Sequence, residues 1–198
     1  ETRLKLQESE NNKLAENLKE REARVKELEA ILAQQKQAVN DLKEKISGAL
    51  LGFSDSELKV DVKNGKVYVS LAEQLLFKSG SIKVDSKGKE ALVKLAKALA
   101  SNKDLTVVVE GHTDNVSMKR KSDYMKDNWD LSVLRATEIV RILTGNGVDP
   151  KQVQAAGRGE HMPIDDTNST SARKKNRRIE IILSPNLDDL FKMLGGDE

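Results

Sequence analysis

Residues 1–50 contain no proline, and their one glycine is Gly48. Their apolar residues recur at spacings of three and four. One seam position reads Leu4, Asn11, Leu18, Val25, Leu32, Val39, Ile46; the other reads Gln7, Leu14, Arg21, Leu28, Gln35, Leu42, Ala49. A 3-4 spacing kept up this long constrains the chain to a long helix with a narrow apolar stripe, the pattern of a coiled coil. Acids and bases alternate over the other positions, as on solvated flanks. Branched residues in the first seam, leucines in the second and a register-setting Asn11 predict a parallel homodimer through residues 1–50. Gln7, Arg21 and Gln35 weaken that seam, and a single helix packed on its own domain is the alternative. At 1.5 Å per residue such a stalk reaches roughly 75 Å.

The pattern stops in "SGALLGFSDSE", where Gly48 and Gly52 break it. Next, "ELKVDVKNGKVYVSL" alternates polar and apolar around Asn64-Gly65, which predicts a hairpin with strands near 58–62 and 66–70. "AEQLLFKSGSIKVDSKG" reads as a loop anchored by Leu76 and Phe77. Asp85 or Ser86 is the predicted cap of a helix running to about Leu99. "LTVVVEGHTD" predicts a strand buried on both faces. Asn128 is read as the cap of a second helix that ends near Gly145 or Gly147. "VQAAG" and "RRIEIIL" are read as strands, the last one ended by Pro185. Residues 55–185 are thus expected to form an α+β domain, a mixed sheet with two helices on one face. Leu187, Leu190, Phe191 and Leu194 suggest an amphipathic tail over 186–198.

Composition removes several functions. There are no cysteines and only two histidines, His112 and His161, so neither disulfides nor a zinc site is expected. No cofactor is expected either. Neither histidine lies in a nucleophile motif. Asp165-Asp166 and Asp188-Asp189 suit turns better than paired acid–base work, so no enzyme activity is expected. Gly157 and Gly159 lack the lysine or third glycine of a nucleotide loop. Arg173, Lys174, Lys175, Arg177 and Arg178, with Lys119, Arg120, Lys121 and Lys126, form basic clusters. The net charge is only +2 and no aromatics interleave with these clusters, so nucleic acid is not the expected partner.

What remains is an acid and a base. Asp114 lies at the exit of the apolar strand, and Arg135 lies about two turns into the second helix. A carboxylate accepts from an ammonium group, and an arginine grips a carboxylate through two hydrogen bonds. Held close together they fit a zwitterion; equally, they would form an ordinary surface salt bridge.

"VVVEGHTDN", "NWDLSVLRATEIVRIL" and "GVDPKQVQAAGRGEHMPIDDTNSTSARKKNRRIEI" resemble, in order, the motifs of the OmpA-like peptidoglycan-binding domain, the family of OmpA, Pal and MotB. The likeness covers about residues 67–183, and the Asn-Trp pair and long loop look most like the MotB branch. It implies an OmpA-like two-layer sandwich that binds the diaminopimelate of peptidoglycan stem peptides without covalent chemistry. By motif match, Asp114 takes the ammonium and Arg135 the carboxylate. Thr113 helps close the pocket, Asn128 holds the loop to the helix start, and Arg173 and Arg177 are the family's basic residues near the site. Ala172 replaces a usual glycine, and residues 115–127 are longer and more basic than in the OmpA and Pal types. The resemblance also implies a periplasmic, membrane-anchored protein, at the outer membrane rather than the inner, with its anchor upstream of Glu1. A stator-type component of an ion-driven motor is the alternative, as is a coiled-coil protein whose domain no longer binds ligand.

Overall fold

The computed structural model describes residues 2–78, 80–118 and 122–186, so the expected tail and Lys119, Arg120 and Lys121 lie outside the described residues. The chain divides into two compact units, residues 1–38 and 39–198. One helix, α1 (Thr2–Ala49), runs from the first into the second. In the first unit the seam residues of the heptad stand exposed on this chain, Leu4 at 72% and Leu32 at 62%. In the second unit the same repeat does a different job. Val39, Leu42 and Ile46, followed by Leu50, belong to the hydrophobic core of the domain. Residues 39–50 are therefore packed as part of the globular unit.

The elements of that unit follow as β1 (Leu58–Lys63), β2 (Lys66–Ala72), α2 (Glu73–Leu76), α3 (Ser86–Ala100), β3 (Leu105–His112), α4 (Asn128–Thr144), β4 (Val153–Gly159), α5 (Thr170–Asn176) and β5 (Arg178–Pro185). The sheet order is β1-β2-β5-β3-β4. β3 and β4 run parallel and the other pairs antiparallel. The hairpin turns at Asn64 and Gly65, with φ of 50° and 70°, as an Asn-Gly turn requires. Val67, Val69 and Leu71 of β2, Val107 and Val109 of β3, and Ile179, Ile181 and Leu183 of β5 alternate onto the core side. Leu92, Leu95 and Leu99 of α3 and Ile139 and Leu143 of α4 complete that core. This is the expected α+β sandwich with a mixed sheet.

Two local expectations need correction. The stretch after β2, read as a loop, contains the one-turn helix α2, with Leu75, Leu76 and Phe77 buried. Four residues are too few to show helical periodicity. The cap of α4 is Asp127, not Asn128: its Oδ1 accepts from the amides of Trp129 (2.9 Å) and Asp130 (3.2 Å). Asn128 is instead buried as the first helical residue.

Two glycines seat α4 on the sheet. Gly111 and Gly157 are partners across the parallel β3–β4 pair. A Cβ at Gly111 would meet the Ser132 carbonyl oxygen at 2.2 Å, and one at Gly157 would meet Ser132 Oγ at 2.4 Å. Gly157, expected only as part of a tight turn, thus lets the helix approach the strands closely. Ser132 Oγ accepts from the amide of Gly159 (3.1 Å) and donates to the carbonyl of Trp129 (2.8 Å). The start of α4 is fixed at the carboxyl ends of β3 and β4, where the site lies.

Candidate functional site

All six residues singled out from the sequence, Thr113, Asp114, Asn128, Arg135, Arg173 and Arg177, line one cleft of about 780 Å³. Glu73, Phe77, Val116, Met118 and Met125 are among its other walls. That volume lies within the ordinary range for small-molecule sites.

The side chains arrive from the loop after β3, from α4 and from α5 and its end. Asp114 follows β3; its Oδ1 accepts from the amide of Val116 at 3.1 Å. Arg135 sits on α4 and is 3% exposed. Its Nε donates to the carbonyl of Ser81 at 3.1 Å, and its guanidinium carbon lies 4.8 Å from the centre of the Phe77 ring. Arg177 lies between α5 and β5. Of its two hydrogens, Asn128 Nδ2 gives one to Glu160 Oε2 at 2.7 Å and shares the other between the carbonyls of Asp114 and Val116, both at 3.2 Å. It ties the loop after β3 to the start of α4, the role expected of it, without capping the helix. Thr113 donates from Oγ1 to the carbonyl of Asp114 at 3.0 Å. Ser169 caps α5 through the amide of Ala172, which is fully buried. The Ala in place of Gly is thus accommodated. Arg173 reaches the carbonyl of Asn168 with Nη2 at 3.0 Å, while its Nε is buried without a partner among the described residues.

Asp114 and Arg135 do not pair with each other. Arg177 bonds Asp114 Oδ2 through Nη1 at 2.6 Å and Glu73 Oε2 through Nε at 2.5 Å. Glu73 Oε1 in turn accepts from Arg135 Nη2 at 2.5 Å. The charges alternate along Asp114–Arg177–Glu73–Arg135. Burial opposes the charge on Arg177, but Asp114 and Glu73 outweigh it and hold its pKa above the ordinary arginine value. Glu73, the link between the two arginines, was not foreseen. It opens α2, in the stretch read as loop.

Donors and acceptors remain to spare. Arg135 has five N–H groups and these contacts use two of them. Asp114 has about four acceptor sites and these bonds use two. Both ends of the run thus keep hydrogen-bonding capacity beyond the ion pairs, acceptors at Asp114 and donors at Arg135.

A second polar cluster lies on the sheet. Glu110, His112 and Glu180 are the one group among the described residues placed to hold a metal ion. Glu110 and Glu180 are cross-strand partners, as are His112 and Arg178. Arg158 Nε holds Glu110 Oε2 at 2.8 Å, and Arg178 Nε holds Glu180 Oε1 at 2.7 Å. The carboxylates are already balanced by two guanidiniums, so a cation would bring uncompensated charge. His112 is almost wholly buried, and burial, then Arg178 and Arg158, push its pKa down to about 3. It is neutral in the folded protein near pH 7.

The OmpA family model matches residues 76–177. Motility protein B of Bacillus subtilis (strain 168) is 26% identical over 132 residues, covering 66% of this chain and 50% of that protein. The chain spans about half the length of the first curated relatives it matches, 50% and 48%. A MotB like protein from Desulfovibrio vulgaris shares the fold with a TM-score of 0.69 at 24% identity, over 81% of this chain and 99% of that one. The cell wall anchor of the T6SS from Pseudomonas aeruginosa superposes with a TM-score of 0.59 at 29% identity, over 66% of this chain and 89% of that one.

Proposed function

The chain belongs to the OmpA family, and we propose that its cleft binds the diaminopimelate end of a peptidoglycan stem peptide, non-covalently, to anchor an envelope protein to the cell wall. The observation that carries this reading is the run of alternating charges that ends in Asp114 on one side and the buried Arg135 on the other, in one cleft. The free end of diaminopimelate carries an ammonium and a carboxylate on one carbon. Asp114 accepts the ammonium, and Arg135 donates its spare N–H groups to the carboxylate. Arg177 and Glu73 hold those two groups in place before the ligand arrives, which lowers the ordering cost of binding. Asn128 and Thr113 fix the loop that carries Asp114, and Arg173 offers a further donor to the stem peptide.

The helix adds valency. Leu14, Leu18, Val25 and Leu28 stand exposed along residues 1–38. We propose that a second copy covers this seam as a parallel homodimer. Two linked domains on a repeating polymer bind more tightly than one. The likeness to motility protein B favours a second reading, in which the wall-bound dimer is the stationary part of a membrane motor. No helix among the described residues is long and apolar enough to cross a membrane.

Co-sedimentation with insoluble peptidoglycan tests the proposal. The protein is expected in the pellet, released by excess free diaminopimelate and not by the same amount of its N-acetylated form, which lacks the ammonium. Protein left in the supernatant overturns anchoring. Soluble muropeptides appearing during incubation would point to an enzyme instead.

A further inference from the structure

The sole tryptophan of the chain, Trp129, is 48% exposed at the start of α4. Its ring stacks on exposed His161, with centroids 5.0 Å apart and planes inclined by 25°. An exposed indole held in place by a second ring is not part of the core, to which α4 contributes Ala136, Ile139 and Leu143 further along the helix. The indole N–H makes no hydrogen bond among the described residues. Val133, one turn along the helix, is also exposed.

This platform is joined to the cleft. Residues 128–129 of α4 face residues 160–161 of the loop after β4 in two consecutive contacts. Asn128, a wall of the cleft, bonds Glu160 at 2.7 Å, and the next residue on each side forms the ring stack. Gly159, at φ 54°, turns the loop beneath the start of the helix, where a Cβ would be in ordinary contact, 3.5 Å from the Trp129 amide nitrogen. The Trp129 backbone is fixed at both ends, its amide by Asp127 and its carbonyl by Ser132. The platform is therefore held rigidly with respect to Asn128.

We infer that the Trp129–His161 stack is a sugar subsite that takes the glycan residue from which the bound stem peptide hangs. This rests on the cleft being the diaminopimelate site. In peptidoglycan, diaminopimelate is the third residue of the stem, so about 10 Å of extended peptide separates it from the sugar. Trp129 is the immediate chain neighbour of a cleft wall, which puts it within that reach. A pyranose presents an apolar C–H face rimmed by hydroxyl and amide groups. An indole face with a free N–H at its edge matches both parts, as one apolar and one polar contact. A purely apolar partner would leave that N–H unpaired.

The test compares two ligands on the full chain by calorimetry: the free stem peptide, and the same peptide carrying its disaccharide. Trp129 fluorescence is followed in parallel. The disaccharide-peptide is expected to bind wild type roughly three- to tenfold more tightly, and it alone to perturb the indole emission. In Trp129→Ala the affinity ratio between the two ligands falls to about one, and Trp129→Phe, which keeps a ring, retains most of it. Equal affinity of the two ligands for wild type, or an unchanged ratio in Trp129→Ala, overturns the sugar subsite and leaves the cleft standing. Failure of both ligands to bind wild type overturns the reading of the cleft and this subsite with it.

Discussion

Glu73→Gln is the substitution that most directly probes the ion-pair chain. The Glu73 carboxylate serves two arginines, one oxygen each, at 2.5 Å. The Arg135 side chain is only 4% exposed, so its charge has almost no water to turn to. Its other contacts are the carbonyl of Ser81 and the face of Phe77. An amide of the same shape keeps one acceptor and loses the charge. Leaving a buried cation without its counter-ion costs about 3–5 kcal/mol. The Ser81 bond, the Phe77 ring and the remaining amide oxygen offset part of this, so the expected loss is about 2–3 kcal/mol. Urea unfolding followed by circular dichroism measures it as a lower midpoint at unchanged slope. The double variant Glu73→Gln/Arg135→Met is expected to recover most of the loss, because it removes the stranded charge as well. A loss below about 0.5 kcal/mol, the range of an exposed salt bridge, would refute the idea that Glu73 compensates a buried charge.

Three other outcomes follow from the packing and the charges. Gly111→Ala places a methyl 2.2 Å from the Ser132 carbonyl oxygen and is expected to cost about 3 kcal/mol or more, whereas Gly48→Ala, with nothing within 4 Å, is expected to be neutral or stabilising in the same unfolding assay. His112 stays neutral in the fold down to about pH 3, while in the unfolded chain it takes a proton near its ordinary value of 6.5. Stability therefore falls as pH drops from about 6.5 towards 3 and is flat with respect to this group above 6.5. By pH 4 the wild type is expected to have lost about 3 kcal/mol relative to His112→Gln, and parallel pH curves for the two would contradict the burial argument. Leu18→Asp puts a charge in the exposed seam of α1; analytical ultracentrifugation is expected to show dimer for wild type and monomer for the variant, with circular dichroism confirming a folded domain.

Much of the fold was legible because its elements carry period-two or helical patterns long enough to read. The hairpin, α3, the central strand and the last strand all lie where alternation and turn residues put them. The residues carried over by motif also converge on one cleft. The misses have local causes. Asp127 and Asn128 are both good caps, and only the hydrogen bonds to Asp114, Val116 and Glu160 show that Asn128 is engaged elsewhere. Glu73 sits in a single helical turn, and its partners are 62 and 104 residues away in sequence, so no local pattern marks it. The buried polar cluster did leave a sign: Glu110 and His112 recur at spacing two on the strand read as buried on both faces, as Arg178 and Glu180 do on the last strand. The heptad has a deeper ambiguity. Leu18 and Ile46 hold seam positions alike, yet one is exposed and the other lies in the domain core. Periodicity marks an apolar stripe, not what packs against it.

The most direct measurement is a calorimetric titration of the full chain with a stem peptide ending in free diaminopimelate, alongside the same peptide with that amine acetylated. The expected result is binding of the free form by wild type, at least tenfold weaker binding of the acetylated form, and a similar loss in Asp114→Ala. Equal binding of the two peptides, equal binding by wild type and Asp114→Ala, or no binding by wild type would contradict the zwitterion clamp.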